Sequence, residues 1–319
     1  MTLPSYNELL LSLPAMASWP PAQHLFDIQQ ISALRAAEAA GRPLLIRGDP
    51  GTGKSQLAQA AAFAARRLFL PFVVDSRTEA ADLMWRYDAV ARLADAHLAS
   101  VPQSGVAAGL DAKHYVLPGP LWWAFNHTSA EQQRAQARCQ GPQPYLPPNE
   151  WQWAPQKGTV VLVDEIDKAE PDVPNGLLEA LGNGRFAVPL TGEVVQRPAD
   201  VPAPLVIFTT NEERELPAAF LRRCLVLTLK LPQGEALKRF LLERGRLHFP
   251  ELAEAHPQVL EDAAELLLQD RPRAEEAGLY APGLAEYLDL LRALAGMGGN
   301  PAEHLASVSE LTYRKQQEV

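Results

Sequence analysis

The residues best equipped for chemistry form one short run: Gly48, Asp49, Pro50, Gly51, Thr52, Gly53, Lys54 and Ser55. They match GxxxxGK followed by Ser or Thr, a spacing in which glycines let successive backbone N–H groups curl around a phosphate. Lys54 would add a point charge on the terminal phosphates of a nucleotide, and the Ser55 hydroxyl is an oxygen donor for Mg²⁺. A second group stands at Asp164 and Glu165, two carboxylates that end the apolar run 159–163. Carboxylates are costly inside a sheet, so this pair belongs at its carboxyl edge, where open α/β folds bind ligands. There Asp164 would hold Mg²⁺ through water, and Glu165 would orient and deprotonate an attacking water.

These groups need a frame to position them, and the hydrophobic pattern supplies one. An apolar run at 43–47 leads into the phosphate loop, and an Ala-rich helical stretch, 56–68, follows it. Further short apolar runs at 70–74, 159–163, 205–209 and 225–229 alternate with helical periods such as 177–181. Buried strands separated by helices imply an α/β fold with a parallel sheet between helical layers. Strand signals stop at Leu231-Pro232-Gln233-Gly234, and Leu284, Tyr287, Leu288 and Leu291 then repeat at helical spacing. The expected division is a nucleotide-binding αβα domain over 1–231 and an all-helical domain over 232–319.

Composition bounds the function. A chain of 319 residues with 47% hydrophobic and 21% charged side chains can build a sizeable core, which excludes disorder throughout. The formal net charge of −9 argues against a surface made for non-specific nucleic-acid binding. The apolar run 9–13 follows Glu8, and the first basic residue is Arg35, so no secretory leader is expected. No stretch reaches the ~20 apolar residues needed to span a bilayer. Cys139 and Cys224 lie far apart without metal or disulfide spacing, and a reducing, cytoplasmic setting fits.

Gly48 to Ser55, the run Val163-Asp164-Glu165-Ile166-Asp167-Lys168-Ala169, Asn211 after the apolar run 205–210, and Leu216-Pro217-Ala218-Ala219-Phe220-Leu221-Arg222-Arg223 together resemble the AAA+ ATPases of the MoxR group. The resemblance covers nearly the whole chain in order. It implies a P-loop NTPase of AAA+ type with a helical lid, working on ATP with Mg²⁺ as an oligomer, a hexameric ring. Asn211 matches the family's sensor 1, which positions water against the γ-phosphate; a turn role is the plain alternative. Arg223 matches the arginine finger offered to a neighbouring subunit, with Arg222 as a second candidate; a basic helix end is the alternative there.

The resemblance further implies a hairpin insertion, matched by 185–190, the Thr191-Gly192 turn and 193–197, and a second insertion whose start resembles 78–87. Trp85 and Tyr87 in that second insertion are candidates for touching a substrate in a central pore. Material at 130–157, rich in Pro and Gln, looks added to the family pattern, and Trp122 and Trp123 before it are expected to bury. A basic sensor 2 is missing: 278–283 contains no Arg or Lys, and the nearest are Arg271 and Arg273. His24 is expected either near the adenine or on the surface.

Three functions follow in order of preference. The first is an ATP-driven motor that remodels or activates a separate protein bearing a von Willebrand factor A domain. The second is a slow-hydrolysing, ATP-switched binding module, and the third, disfavoured by the charge balance, is a DNA-directed motor.

Overall fold

The computed structural model describes residues 10–16, 19–99, 110–138, 157–279 and 281–313. Cys139, Trp151, Trp153 and most of the Pro- and Gln-rich stretch lie outside them. The chain divides into two compact units, residues 1–47 with 55–227 and residues 48–54 with 228–319.

The first unit begins with an antiparallel ribbon of β1 (Leu10–Leu13) and β2 (Ala22–Leu25). Asp27 then starts α1 (Ile28–Ala40): its carboxylate accepts from Gln30 N at 2.7 Å, and the Gln30 side chain accepts from Asp27 N at 3.2 Å. This reciprocal cap satisfies two N–H groups the helix itself cannot. Gly41 at φ +60° ends α1 in the left-handed region open to glycine. The core elements follow: β3 (Leu44–Arg47), α2 (Lys54–Ala65) and β4 (Leu68–Val73).

Residues 78–99 and 110–136 fold as a sub-structure on this frame. It comprises α3 (Ala80–Met84), β5 (Trp85–Tyr87), α4 (Ala89–Ala99), β6 (Val116–Pro118), α5 (Pro120–Phe125) and α6 (His127–Gln136), with β5 and β6 paired antiparallel. Pro120 sits in the first turn of α5, where its missing N–H costs nothing. Trp122 and Trp123 are buried as expected, and the Trp122 indole N–H donates to Ser129 Oγ at 3.0 Å, which makes that burial affordable. The polar stretch from 130 begins as helix: 130–136 continue α6, whose Gln133 is buried and donates to the Lys113 and Val116 carbonyls at 2.7 and 2.8 Å.

The remaining elements are β7 (Thr159–Asp164), α7 (Asp172–Asn183), the hairpin strands β8 (Arg185–Val188) and β9 (Glu193–Gln196), β10 (Leu205–Thr210), α8 (Ala218–Leu221) and β11 (Leu225–Thr228). The expected hairpin is present, closed by Arg197 N donating to Gly184 O at 3.0 Å. The central sheet has the order β11-β3-β10-β7-β4, with parallel pairing across β3, β10, β7 and β4. Alternate residues serve opposite faces: Val161, Val163, Val206 and Phe208 join one core cluster, while the intervening Val160, Leu162, Leu205 and Ile207 are buried on the other side. Apolar packing on both faces is why these strands read as unbroken hydrophobic runs.

The second unit carries α9 (Glu235–His248), α10 (Pro250–Ala255), α11 (Pro257–Glu276), α12 (Leu284–Met297) and α13 (Pro301–Tyr313) around a Leu-rich core. Tyr287 and Tyr313 are buried there, their hydroxyls donating to the Leu260 and Ala263 carbonyls at 3.2 and 3.0 Å. No described helix is long and apolar enough to cross a membrane.

Candidate functional site

Strand β7 runs buried to Val163 and emerges at Asp164. Ser55, in the first turn of α2, donates its hydroxyl to the Asp164 carboxylate, with oxygen separations of 2.8 and 2.9 Å. The parallel register pairs Phe208 of β10 with Val163, so the next residue, Thr209, lies beside Asp164. Its hydroxyl donates to Asp164 Oδ1 at 2.5 Å and accepts from Glu165 N at 2.9 Å. Glu165 has φ +60°, a left-handed conformation costing a non-glycine residue about 1–2 kcal/mol. The Thr209 bond, worth about 1 kcal/mol, offsets part of that cost.

The Glu165 carboxylate is held at both oxygens. Lys168 Nζ donates to Oε2 at 2.7 Å, and Asn211 Nδ2 donates to Oε1 at 3.4 Å. The hydrogen bond it donates to Glu165 is the main reason the Lys168 ammonium is held above its usual pKa. Asp167, 2% exposed, accepts from Glu213 N at 3.0 Å and so ties down the loop after Asn211. The structure therefore brings Ser55, Asp164, Glu165 and Asn211 into one cluster. It adds Thr209, Lys168 and Asp167, to which the sequence alone assigns no role. Lys168 had a visible signal, its i+3 spacing from Glu165; Thr209 had none, because only the register of β10 on β7 reveals it.

Within the second unit, the phosphate loop is folded on itself. Lys54 is 7% exposed and its ammonium donates to the Gly48 and Asp49 carbonyls at 2.7 and 2.9 Å. Thr52 Oγ1 donates to Asp49 O at 2.9 Å, which closes the turn through Pro50. Gly51, at φ +75°, could carry no side chain: a Cβ there would stand 2.9 Å from Ala285 Cβ at the start of α12. At Gly48 a Cβ would meet Leu229 O at 2.1 Å, and Gly53 also has positive φ, +86°.

Arg222 and Arg223 follow α8 and are exposed. Among the described residues, neither guanidinium makes a hydrogen bond or ion pair, and neither joins the Asp164 cluster. Arg223 lines a groove of about 600 Å³ with Gly41, Arg42, Asn175, Glu179 and Gly182.

Both basic residues upstream of the 278–283 stretch are engaged within the second unit. Arg271 donates to Pro282 O at 2.8 Å and to Glu275 at 3.2 Å, and Arg273 pairs with Asp270 at 3.4 Å. His24 is 6% exposed, with Nδ1 3.5 Å from Gln56 Oε1 and its ring edge-on to Phe26, which overturns the surface alternative. Trp85 and Tyr87 are half-buried on β5 and pack against the core, and the Tyr87 hydroxyl accepts from Arg92 at 2.8 Å. Cys224 is buried and unpaired by any disulfide, and burial pushes its thiol up to about 12.

A phosphate loop between strand and helix, with a carboxylate pair at the end of another parallel strand of the same sheet and a helical C-terminal unit, defines a P-loop nucleotide-binding protein of α/β class. The model of the AAA domain, dynein-related subfamily, matches residues 43–224, more than half of the chain, and the protein belongs to this family of ATPases. No curated protein matches. Among solved structures, an ATPase candidate from Cytophaga hutchinsonii is 16% identical, with 89% of this chain and 81% of that one covered at a TM-score of 0.39. A point mutant of RuvB from Thermotoga maritima is likewise 16% identical, with 89% and 68% covered at a TM-score of 0.43.

Proposed function

We propose that this protein is an oligomeric, Mg²⁺-dependent ATPase of the MoxR type that remodels or activates a separate partner protein. The observation that carries the reading is the double hold on Glu165 by Lys168 and Asn211, next to an Asp164 already joined to Ser55. Glu165 is then the group that orients water and accepts its proton, Asn211 aligns that carboxylate and the water, and Lys54 anchors the terminal phosphates. Gly48, Asp49, Pro50, Gly51, Thr52 and Gly53 form the cradle, their backbone N–H groups taking phosphate oxygens. The Ser55 hydroxyl and the Asp164 carboxylate are hard oxygen donors side by side, the donor set suited to Mg²⁺. The ion, when bound, neutralises charge on the phosphate oxygens.

Arg223, with Arg222 beside it, is exposed and serves the site of the next subunit, so catalysis depends on assembly into a ring of six. Residues 1–231 act as the nucleotide-binding domain and 232–319 as its lid. The MoxR resemblance supports a partner with a von Willebrand factor A domain, and the acidic surface supports a protein rather than a nucleic-acid target in the cytoplasm. The test is ATP hydrolysis against protein concentration, with Arg223→Ala alongside. Specific activity should climb with concentration and collapse in the variant; flat turnover in both would refute the shared site.

A second reading, a slow ATP-switched binding module, is favoured by the engagement of Arg271 and Arg273 away from any sensor role. Partner binding lost in Lys54→Ala, with partner activity kept in Glu165→Gln, would select the switch over the motor.

A further inference from the structure

The turn that bears Arg222 and Arg223 is held by a residue from a distant part of the first unit. Helix α8 has four residues, and its Ala218, Phe220 and Leu221 carbonyls accept from the amides of Arg222, Arg223 and Cys224, so the carbonyls of the turn beyond it, at Arg222 and Arg223, need partners from elsewhere. Arg42, one residue past the Gly41 cap of α1, fills that need. Its Nη2 donates to the Arg222 carbonyl and its Nε to the Arg223 carbonyl at 3.1 Å. The planar guanidinium spans two successive carbonyls in a way an ammonium cannot. The backbone just beyond reinforces the link: Leu225 N donates to Pro43 O at 2.9 Å, and β11 then runs beside β3.

The backbone of Arg222 and Arg223 is thus fixed from Arg42, two residues ahead of β3, while their guanidinium groups are left exposed. We infer that Arg42 is a positioning residue for the finger: it aims Arg223 outward at the site of a neighbouring copy and makes no contribution to its own subunit's nucleotide site. Because β3 leads into the phosphate loop of the same chain, Arg42 also stands where a shift at one subunit's loop would reach the finger it offers to the next. This inference rests on the shared-site reading proposed above.

The experiment is subunit mixing. Glu165→Gln provides an intact finger from a catalytically silent site; Arg42→Ala provides an intact site with a misaimed finger. Alone, Arg42→Ala should lose about 10- to 100-fold in kcat, since displacing a group by ~1 Å can cost 10²-fold, with the KM for ATP within about twofold of wild type. Mixed in equal amounts with Glu165→Gln, it should regain several times the summed activity of the two proteins measured separately. A purely local role for Arg42 in its own strand would give no such recovery.

Wild-type turnover in Arg42→Ala, or a loss that mixing fails to restore while Arg223→Ala is restored, overturns the assignment. Failure of Arg223→Ala to recover in the same mixture refutes the shared site itself, and the role of Arg42 falls with it. If Arg42→Ala does not fold, as judged by thermal melting, Arg42→Lys is mixed instead; it keeps one charged bond and should lose less turnover, still recoverable by Glu165→Gln. Unrestored loss or wild-type turnover there overturns the proposal equally.

Discussion

The Asp164–Glu165 strand end and the Arg222–Arg223 turn are both read as parts of one catalytic apparatus, yet they are built oppositely. At the strand end every charged side chain has a partner inside the chain: Ser55 and Thr209 on Asp164, and Lys168 and Asn211 on Glu165. At the turn only the backbone is held, through Arg42, and the guanidinium groups have no hydrogen-bond or ion-pair partner among the described residues. Groups that act within their own subunit can be preorganised by neighbours, which lowers the cost of reaching the reactive arrangement. A group that acts on another copy must keep its side chain free, so only its point of departure can be fixed.

Substitutions can break this contrast or sharpen it. The largest change in turnover is expected for Arg223→Ala, roughly 10³-fold or more in kcat, the scale of a finger that neutralises transition-state charge. Its melting temperature should stay at wild type, because an exposed side chain without partners changes stability by less than ~0.5 kcal/mol. A marked loss of thermal stability would show that the side chain is structural and erase the distinction between the two regions.

Glu165→Gln should lower kcat by about 10²- to 10⁴-fold, the usual range for a general base, while titration with a fluorescent ATP analogue shows binding retained. Loss of binding instead would place Glu165 in the phosphate cradle rather than at the water.

Thr209→Val removes the partner of Glu165 N and one of the two donors to Asp164 Oδ1, in a part-buried setting. Calorimetry should show destabilisation of about 1–3 kcal/mol, accompanied by a fall in kcat of roughly tenfold. This is the converse of Arg223→Ala, and equal stability costs for the two would contradict the comparison.

The smallest effect is expected for Lys168→Met. The pair it forms with Glu165 is partly solvent-exposed, at 40% and 31%, so the stability change should fall within ~1 kcal/mol and turnover within about threefold. A loss comparable to that of Glu165→Gln would raise Lys168 from a support to a participant.

Much of this protein could be read from residue order. The phosphate loop, the parallel sheet, the hairpin at 185–197 and the burial of Trp122 and Trp123 rest on local spacing and unbroken hydrophobic runs, which chain-local physics dictates. Asp164 and Glu165 were visible because carboxylates at the end of a buried strand have only its edge to occupy. The helix over 130–136 is hidden in the sequence by its polar composition, because its Gln133 is buried by tertiary hydrogen bonds rather than by an apolar pattern. The sequence likewise leaves His24 open between adenine and surface, and the fold buries it against Gln56 and Phe26.

Tertiary structure alone decided which groups meet. Thr209 reaches Asp164 only through the one register in which β10 pairs with β7, and a shift by one residue would turn its hydroxyl to the opposite face. Arg42 meets the Arg222 and Arg223 carbonyls across a separation of 180 and 181 residues, which no local pattern encodes. Sequence spacing specifies which side chains share a strand or a helix turn; the partners that hold them in place come from chain closure, whose cost is met by the packing of the whole core.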